Sequence, residues 1–357
     1  MDVNATELEA YLSEALGAAA VETEELSNGL NLVVAVSTED GRAYTLRRPN
    51  KLRHTDLFND LKQEYGLLQR LRDTGIQAPA PVLFCDDASI VGDSFFLATR
   101  LDGATVPLGS DLPERFRNPP SRGKVADRLI DTLAEVHSLD VGPFEDVCER
   151  QTPLEQIALA TDRLDEAAGV TGRERPTLRA VGQWLRRNAP PSPTTLVHGD
   201  FRPGNVLFAG TDEPEITGVL DWETAMLGDP LTELGYLLLR WRDDGDPTPP
   251  LGGLEARYAD EDALGDLREA NEHGLAPFTA EAGSPTRREL VARYEDETAI
   301  PFENERFYRA HAAFMLATIW EDLHRYRTEA GDESGFEPLV DYMTMVADSI
   351  VSGEFRL

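Results

Sequence analysis

The chain has 357 residues with 65 acidic and 34 basic side chains, so its formal net charge at pH 7 is −31. This length can bury a sizeable core in one large domain or two lobes, whereas so strong a negative field disfavours nucleic acid and anionic membranes as partners. Two cysteines far apart, an acidic N-terminus without a signal-peptide pattern, and no apolar run near the roughly 20 residues of a membrane span predict a reduced, cytoplasmic protein.

The first hundred residues predict a small antiparallel sheet with helices packed on it. Strand patterns are rich in β-branched residues and bounded by turn residues such as Glu39-Asp-Gly41. Helix patterns repeat their apolar residues at three- and four-residue intervals. The predicted elements, in chain order, are a helix at 6–20, strands at 30–36 and 43–47, a helix at 56–71, and strands at 82–85 and 94–99.

The remainder of the chain predicts a mainly helical part. A proline-rich stretch at 107–120 indicates an irregular insert, and residues 243–287, rich in Gly, Pro, Asp and Glu, indicate a loop or mobile cover. Because strands come first and helices follow, the pattern favours an α+β architecture over alternating parallel units. Helices are predicted at 124–139, within 154–188, and at 231–241, 307–326 and 337–351.

Oxygen-bearing side chains stand at the ends of three short apolar runs in the middle of the chain. The first run ends just before Gly199 and Asp200, and Asn205 directly precedes the second. The third run, residues 216–220, ends in Asp221, sixteen residues after Asn205. A carboxylate beside a hydroxyl, with two oxygen ligands for Mg²⁺, is the arrangement that phosphoryl transfer needs. The spacing matches the protein-kinase signature, although Gly199 stands in place of arginine.

These residues carry a resemblance to a known family. The segment His198-Gly-Asp-Phe-Arg-Pro-Gly-Asn205, with Asp221-Trp-Glu223, resembles the aminoglycoside phosphotransferase and choline kinase superfamily of protein-kinase-like enzymes. Leu46-Arg47-Arg48-Pro49 and Arg306-Phe-Tyr-Arg-Ala-His311 resemble the subgroup related to the kinase-like domain fused to some acyl-CoA dehydrogenases. The resemblance implies a two-lobed fold, with an N-lobe at 1–101 and a C-lobe at 102–357. Further matches fall in the family's order at Glu64–Leu68, Phe96–Gly103, Leu133–Asp140 and Gly228–Leu231.

The resemblance implies a role for each residue of the central motif. Asp200 would orient the acceptor hydroxyl and accept its proton late, and Arg202 would contact the transferred phosphate. Asn205 and Asp221 would hold Mg²⁺, and Glu223 would reach the metal shell or a neighbouring backbone group. The alternatives are structural: a turn or cap aspartate at 200, a solvent-facing arginine at 202, and a turn-forming asparagine at 205.

Three further polar residues of this region have structural alternatives to a catalytic role. Asp229 precedes a proline and is expected to cap the next helix; the resemblance suggests that it also braces the catalytic loop. His198 is expected to bond the loop backbone and not to shuttle protons. His137 lies on an apolar helix face and is expected to pack in the core.

On the nucleotide side, Arg47 occupies the position of the strand lysine that grips phosphates in kinases, and Glu64 is its expected partner. Arg48 should face the opposite side of the strand, so the register decides between the two arginines. The loop at Ser27, Asn28 and Gly29 is a weak phosphate-loop signal, and the backbone at Ala98 and Arg100, in the hinge, is expected to pair with adenine. No G-x-x-x-x-G-K-[ST] segment exists, which excludes a P-loop enzyme.

The predicted function is ATP- and Mg²⁺-dependent transfer of the γ-phosphate to a hydroxyl of a small molecule. The subgroup resemblance favours a metabolic acceptor. The alternatives are an aminoglycoside-type antibiotic kinase and a nucleotide-binding pseudo-kinase without turnover, and GTP in place of ATP stays open. The acceptor pocket is expected within residues 243–340.

The charged residues also predict adaptation to a high-salt cytoplasm. Only Lys51, Lys62 and Lys124 are lysines, so arginine supplies the other 31 of the 34 basic residues. Acidic groups are spread along the chain, where their repulsion is tolerated once salt shortens the screening length to about 3 Å at 1 M. We expect the urea midpoint to be higher at about 3 M KCl than at about 0.1 M. Equal midpoints at both concentrations would contradict this hypothesis.

Overall fold

The computed structural model describes residues 5–18, 21–55, 57–191, 193–211, 213–258 and 261–357. It has the predicted two-lobed α+β architecture, in which a five-stranded antiparallel sheet is followed by a mainly helical part. The strands lie in the order β1-β2-β3-β5-β4. Their bounds are β1 Val21–Asn28, β2 Asn31–Thr38, β3 Ala43–Pro49, β4 Pro81–Cys85 and β5 Phe95–Thr99.

The N-lobe sheet is covered by a helix on each face. Side chains alternate along β5, so Phe95 and Leu97 pack in one cluster and Phe96 and Ala98 in another. The first cluster includes leucines of α1, Ala5–Leu16, and the second includes leucines of α2, Leu61–Leu71. This packing fixes which face of each strand points into the cleft between the lobes.

The second helix starts later than its apolar pattern predicted. The Asp60 side chain accepts a hydrogen bond from the Gln63 amide at 2.8 Å, and the Gln63 side chain accepts one from the Asp60 amide at 3.0 Å. This capping box satisfies two backbone donors and sets the helix start at Leu61. The preceding residues Lys51–His54 form a 3₁₀ turn.

The C-lobe contains the predicted helices and two small antiparallel sheets of two strands each. Strand β6, Thr195–Val197, pairs with β9, Met226–Gly228, and β7, Val206–Ala209, pairs with β8, Glu215–Val219. The predicted helices are observed as α4 Pro119–His137, α5 Pro153–Thr171, α6 Pro176–Asn188, α7 Pro230–Leu238, α11 Glu305–Ala330 and α12 Glu337–Ser352.

The prediction that residues 243–287 are a loop or cover is wrong for part of that segment. It contains a short helix α8, Gly252–Glu255, and a longer one, α9, Glu261–His273. Leu264 and Leu267 of α9 are buried, and their spacing of three residues was hidden by the surrounding charged residues. Two other helices of the described residues were not predicted. One is α3, Ala88–Val91, in the N-lobe, and the other is α10, Arg287–Thr298, which begins with a capping box.

Candidate active site

The catalytic-loop candidate connects β6 to β7 and is held by a histidine and a buried glutamate. His198 Nε2 donates to the Leu220 carbonyl at 2.7 Å, and His198 Nδ1 accepts from the Asp200 amide at 3.2 Å. The Leu220 amide in turn donates to the Asn205 carbonyl at 2.8 Å. The loop and the segment before Asp221 are therefore tied together by backbone bonds, with both His198 ring nitrogens engaged.

Glu233 on α7 holds this loop by accepting hydrogen bonds from its backbone amides. Its carboxylate accepts hydrogen bonds from the amides of His198 at 3.0 Å, Gly199 at 2.6 Å and Phe201 at 3.3 Å. It also lies 3.0 Å from Nε2 of the buried His137. Burial would raise the pKa of the Glu233 carboxyl, but the interactions with His137 and His198 hold that pKa below its usual range. Glu233 is thus an ionised anchor for three loop amides.

The sequence prediction passed over Glu233 and suggested Asp229 for this bracing. Asp229 Oδ1 accepts from the Leu231 amide at 2.9 Å, so Asp229 is the N-cap of α7 as expected, and Oδ2 accepts from the Tyr308 hydroxyl at 2.9 Å. The sequence did carry a signal for Glu233, since it is an acidic residue within an otherwise apolar helix. A buried carboxylate of that kind needs several donors.

We expect Glu233→Gln to lower kcat by about 10- to 100-fold, because a glutamine amide group would face backbone donors and leave some of them unpaired. The free energy of unfolding should fall by about 3 kcal/mol at neutral pH, as for a broken buried ionic network. Since the folded-state pKa is depressed, this stabilisation is present above the unfolded pKa of about 4.3 and is lost as pH falls through the folded value.

Steady-state kinetics and urea unfolding at pH 7 and at pH 4 would measure both effects. Glu303→Gln, at an exposed position, is the matched control and should match the wild type. A Glu233→Gln enzyme with wild-type kcat and stability would show that the loop does not depend on this anchor.

Asp200 is held by donors on three sides. Tyr236 donates its hydroxyl to Oδ1, and Arg202 Nε donates to both oxygens at 3.2 and 3.0 Å. Asn205 Nδ2 donates to Asp200 Oδ2 at 2.8 Å and to the Asp200 carbonyl at 2.9 Å. Burial raises the pKa of Asp200, but the charges of Arg202 and Arg240 and the Tyr236 hydrogen bond keep it below its usual value. The carboxylate is therefore fixed and ionised at neutral pH.

Arg202, predicted to contact the transferred phosphate, is held on Asp200 through Nε and packs over a glycine. A Cβ built on Gly204 would come within 2.1 Å of a terminal nitrogen of Arg202, so any side chain there would displace the guanidinium. Among the described residues, neither terminal nitrogen of Arg202 has a hydrogen-bond partner. These nitrogens remain available to a ligand.

The register of β3 decides between the two neighbouring arginines. Arg47 faces the cleft, where its terminal nitrogens pair with Asp221 and Glu223, and its Nε lies 3.3 Å from Glu64 Oε1. Arg48 points away and donates to the Val91 carbonyl at 2.7 Å. The predicted Arg47–Glu64 pair is thus present in the structure.

A second buried arginine, which the sequence prediction missed, completes this ionic cluster. Arg53 donates through Nε to Glu223 Oε2 and through a terminal nitrogen to Glu64 Oε2, both at 2.9 Å. Glu223 Oε2 also accepts from Asn31 Nδ2 at 2.9 Å. Burial raises the pKa of Glu64 although the charges of Arg47 and Arg53 oppose the shift. The Glu223 side chain thus links β2 and β3 to the segment after Asp221.

The remaining nucleotide-side predictions fall on the sheet edge and the hinge. Asn50, which follows β3, donates through Nδ2 to Asn28 Oδ1 and to the Gly29 carbonyl in the β1–β2 turn, both at 2.8 Å. Ser27 pairs with Val33 in the sheet. Ala98 lies between Thr45 and Pro81 in the sheet, and the Arg100 amide donates to the Ala43 carbonyl at 3.1 Å. The Arg100 amide is therefore already used and is not free to pair with adenine.

Asn205 and Asp221 fit a magnesium ion by their donor chemistry. Within the described part of the chain, Asn205 Oδ1 and Asp221 Oδ2 accept no hydrogen bond, and hard oxygen donors are what Mg²⁺ prefers. Asp221 has a left-handed backbone with φ of 60°, and its side chain is 44% exposed. No group of three or more His, Cys, Asp or Glu side chains among the described residues forms a metal site alone. An ion here would need phosphate and water as its other ligands.

Comparison with known sequences gives one family and two kinds of relative. The family model described as "Phosphotransferase enzyme family" matches residues 22–273. Acyl-CoA dehydrogenase family member 11 of Gallus gallus is 30% identical over 248 residues, which is 64% of this chain and 30% of that protein. Homoserine kinase of Methylocella silvestris is 31% identical over 182 residues, 49% of this chain and 51% of that one. The match thus spans less than a third of the dehydrogenase relative.

Solved structures share the fold over nearly the whole chain. A Ralstonia eutropha protein described as an aminoglycoside phosphotransferase has a TM-score of 0.74 at 20% identity, covering 99% of this chain and 100% of that one. Ethanolamine kinase of Plasmodium vivax has a TM-score of 0.53 at 13% identity, covering 94% and 83%. At these identities the likeness establishes the kinase-like fold alone. Within the described residues, no helix has the length and apolar character needed to cross a bilayer.

Proposed function

Because this chain belongs to the phosphotransferase enzyme family, we propose that it is a cytoplasmic small-molecule kinase that transfers the γ-phosphate of ATP to a hydroxyl group. The nucleotide would lie between an N-lobe at 1–101 and a C-lobe at 102–357. The observation that carries the proposal is the environment of Asp200, a fixed and ionised carboxylate in a loop that the His198 side chain and the Asn205 carbonyl tie to the segment before Asp221.

The transfer step follows from this geometry. The acceptor oxygen forms a new bond to the γ-phosphorus, and the bond from that phosphorus to the bridging oxygen breaks, so ADP leaves with the electron pair. The hydroxyl proton passes late to Asp200 and then to solvent. A low pKa suits this role, because Asp200 orients the hydroxyl while phosphoryl transfer makes the proton acidic.

The other side chains would position and neutralise the phosphates. Asn205 and Asp221 would hold Mg²⁺, which when bound neutralises negative charge on the phosphate oxygens. Arg47, now paired with Asp221 and Glu223, would turn its terminal nitrogens to the phosphates while Glu64 retains its Nε. Such preorganised charges supply most of the stabilisation in phosphoryl transfer.

A metabolic acceptor is proposed ahead of an aminoglycoside. Support comes from the likeness to the kinase-like part of acyl-CoA dehydrogenase relatives and to a homoserine kinase. A pseudo-kinase is disfavoured because Asp200, Asn205 and Asp221 are all present, with Asp200 and Asn205 in direct contact. ATP is proposed as the donor ahead of GTP, and the screen below compares the two.

A nucleotide-consumption screen at high salt tests the proposal. ADP or GDP release would be followed with ATP and with GTP over a library of hydroxylated metabolites that also contains aminoglycosides, with and without Mg²⁺. We expect Mg²⁺-dependent release of ADP with one class of metabolite. Turnover confined to aminoglycosides would overturn the metabolic assignment, and Mg²⁺-dependent ATP binding without turnover of any acceptor would favour the pseudo-kinase.

A further inference from the structure

Arg240, two residues after the end of α7, is a buried cation that forms no salt bridge with any described carboxylate. Its side chain packs on the Tyr236 ring, with the guanidinium carbon 3.9 Å from the ring centroid. Its terminal nitrogens donate to the Tyr236 carbonyl at 2.9 Å and to the Tyr236 hydroxyl at 2.6 Å. Its Nε is buried and has no hydrogen-bond partner in the part of the chain that the structure describes. The residue as a whole is only 4% exposed.

The other buried arginines show how unusual this is in a chain with a net charge of −31. Among the described residues seven arginines are buried, and every one except Arg240 lies within 4.0 Å of a carboxylate oxygen. Burying a guanidinium without a counter-ion is costly, so such groups are normally paired. Arg240 shares the Asp200 carboxylate with Arg202 and forms no salt bridge of its own among the described residues, so it can accept an anion from outside the chain.

The charges around Asp200 also favour an anion from outside the chain. Within the group of Asp200, Arg202, Tyr236 and Arg240, two cations act on one carboxylate, which leaves one positive charge in excess in the group, and Asp221 also acts on Arg202 from outside it. Tyr236 between them stays neutral, because burial and the Asp200 charge raise its pKa while Arg240 opposes the shift. The excess is therefore not cancelled within this group of four side chains.

A small cavity, open to solvent, lies against these two arginines. Arg202, Gly204 and Arg240 line it together with apolar residues that include Val106, Leu108 and Leu275. All of these residues follow the hinge in sequence, and none belongs to the N-lobe sheet that would cover a nucleotide. Among the described residues, the absence of N-lobe side chains from this lining favours the acceptor over the nucleotide as the occupant.

We propose that this cavity binds an anionic group of the phosphate acceptor, a carboxylate or a phosphate monoester, beside the hydroxyl that Asp200 orients. The inference rests on the proposed function and adds the substrate class to it: a small hydroxylated anion with a short apolar part. Arg240 is the specificity residue, supplying its positive charge, and the terminal nitrogens of Arg202 supply the hydrogen-bond donors. Paired donors on a planar guanidinium match the oxygens of either anion.

The proposal is tested with acceptor pairs that differ only in charge. Hydroxy carboxylates would be compared with their methyl esters, glycerol phosphates with glycerol, and both with the cationic ethanolamine and choline, by ADP release at one fixed salt concentration. We expect the anionic member of a pair to be preferred by at least about tenfold in kcat/KM, the size of a charged hydrogen bond. The carboxylate and phosphate arms then identify the anion.

Three variants separate recognition from positioning. Arg240→Met keeps the packing on Tyr236 without the charge, Arg240→Lys keeps the charge, and Arg187→Met makes the same charge change at an exposed site. We expect Arg240→Met to raise the acceptor KM by about 10- to 100-fold and to abolish the preference for the anion. Its KM for ATP should not change. Arg240→Lys should retain part of the preference, and Arg187→Met should equal the wild type.

Two results would overturn the inference. One is a wild-type enzyme that uses neutral or cationic acceptors as well as the anions. The other is an Arg240→Met enzyme whose kcat falls equally for charged and neutral acceptors, since Arg240 would then only support Tyr236 and Asp200. Retained ATP affinity in this variant excludes misfolding as the cause.

Failure of the proposed function would look different, because no acceptor of any charge would then be phosphorylated. In that case the anion site is tested by thermal unfolding in the presence of the same hydroxy carboxylates and glycerol phosphates. Stabilisation of the wild type but not of Arg240→Met supports the site. No stabilisation of either protein overturns it.

Discussion

Replacing Asp200 with asparagine is expected to lower kcat by at least about 10³-fold while leaving the affinity for Mg²⁺·ATP close to that of the wild type. Asparagine keeps the shape of the side chain but cannot accept the acceptor proton, and its amide group would oppose the donors of Tyr236, Arg202 and Asn205. Nucleotide binding is spared because the ionic cluster around Arg47 does not include Asp200.

Single-turnover phosphoryl transfer and calorimetric titration with Mg²⁺·ATP measure the two effects separately. Asp332→Asn, at an exposed position, is the matched control and should behave as the wild type. The low pKa of Asp200 adds a pH prediction. Since Asp200 stays ionised down to below its usual value of about 3.9, it should not produce an acid limb in kcat between about pH 5 and 7. Undiminished turnover by Asp200→Asn would refute its assignment.

The second large effect is expected at Arg47, and its neighbour provides the control. Arg47→Met should weaken Mg²⁺·ATP binding or lower kcat/KM for ATP by about 10²- to 10³-fold, because a phosphate-neutralising cation is lost. It should also lower the free energy of unfolding by about 3 to 5 kcal/mol, since Glu64 and Glu223 would keep only Arg53 as a buried cationic partner.

Arg48→Met removes the same charge one residue along the strand. It loses hydrogen bonds to the Val91 carbonyl and Asn50 Oδ1, so we expect a stability loss of about 1 to 2 kcal/mol. Its kinetic constants for ATP should stay within about threefold of the wild type, because the side chain points away from the cleft. Calorimetry and kinetics of both variants measure the effect on ATP binding and turnover, and urea unfolding measures the effect on stability. The reverse pattern, with Arg48→Met losing ATP binding, would mean that the β3 register is wrong.

The parts of the site that could be predicted are those set by local sequence. Short apolar runs with polar residues at their ends predicted where Asp200, Asn205 and Asp221 would lie, because strand ends and tight loops depend on residues close in the chain. The alternation of side chains on a strand likewise reduced the choice between Arg47 and Arg48 to one question of register. The fold followed from the order of strands and helices.

The parts that could not be predicted depend on contacts between distant residues. Arg53 reaches Glu223 across 170 positions, and Tyr236 reaches Asp200 across 36, without any local pattern to indicate either bond. Arg240 stands out only when its burial is compared with the ion pairs of the other buried arginines. Helix α9 was missed for a different reason, since its charged surface masks the few leucines that pack inward.

A structure of the protein with Mg²⁺ and a non-hydrolysable ATP analogue tests the central claim most directly. We expect the ion to be bound by Asn205 and Asp221, with Arg47 moved from Asp221 to the phosphates and the Asp200 carboxylate facing the terminal phosphate across the acceptor cavity. An ion and a triphosphate bound elsewhere, with Asp221 still paired to Arg47, would contradict the account.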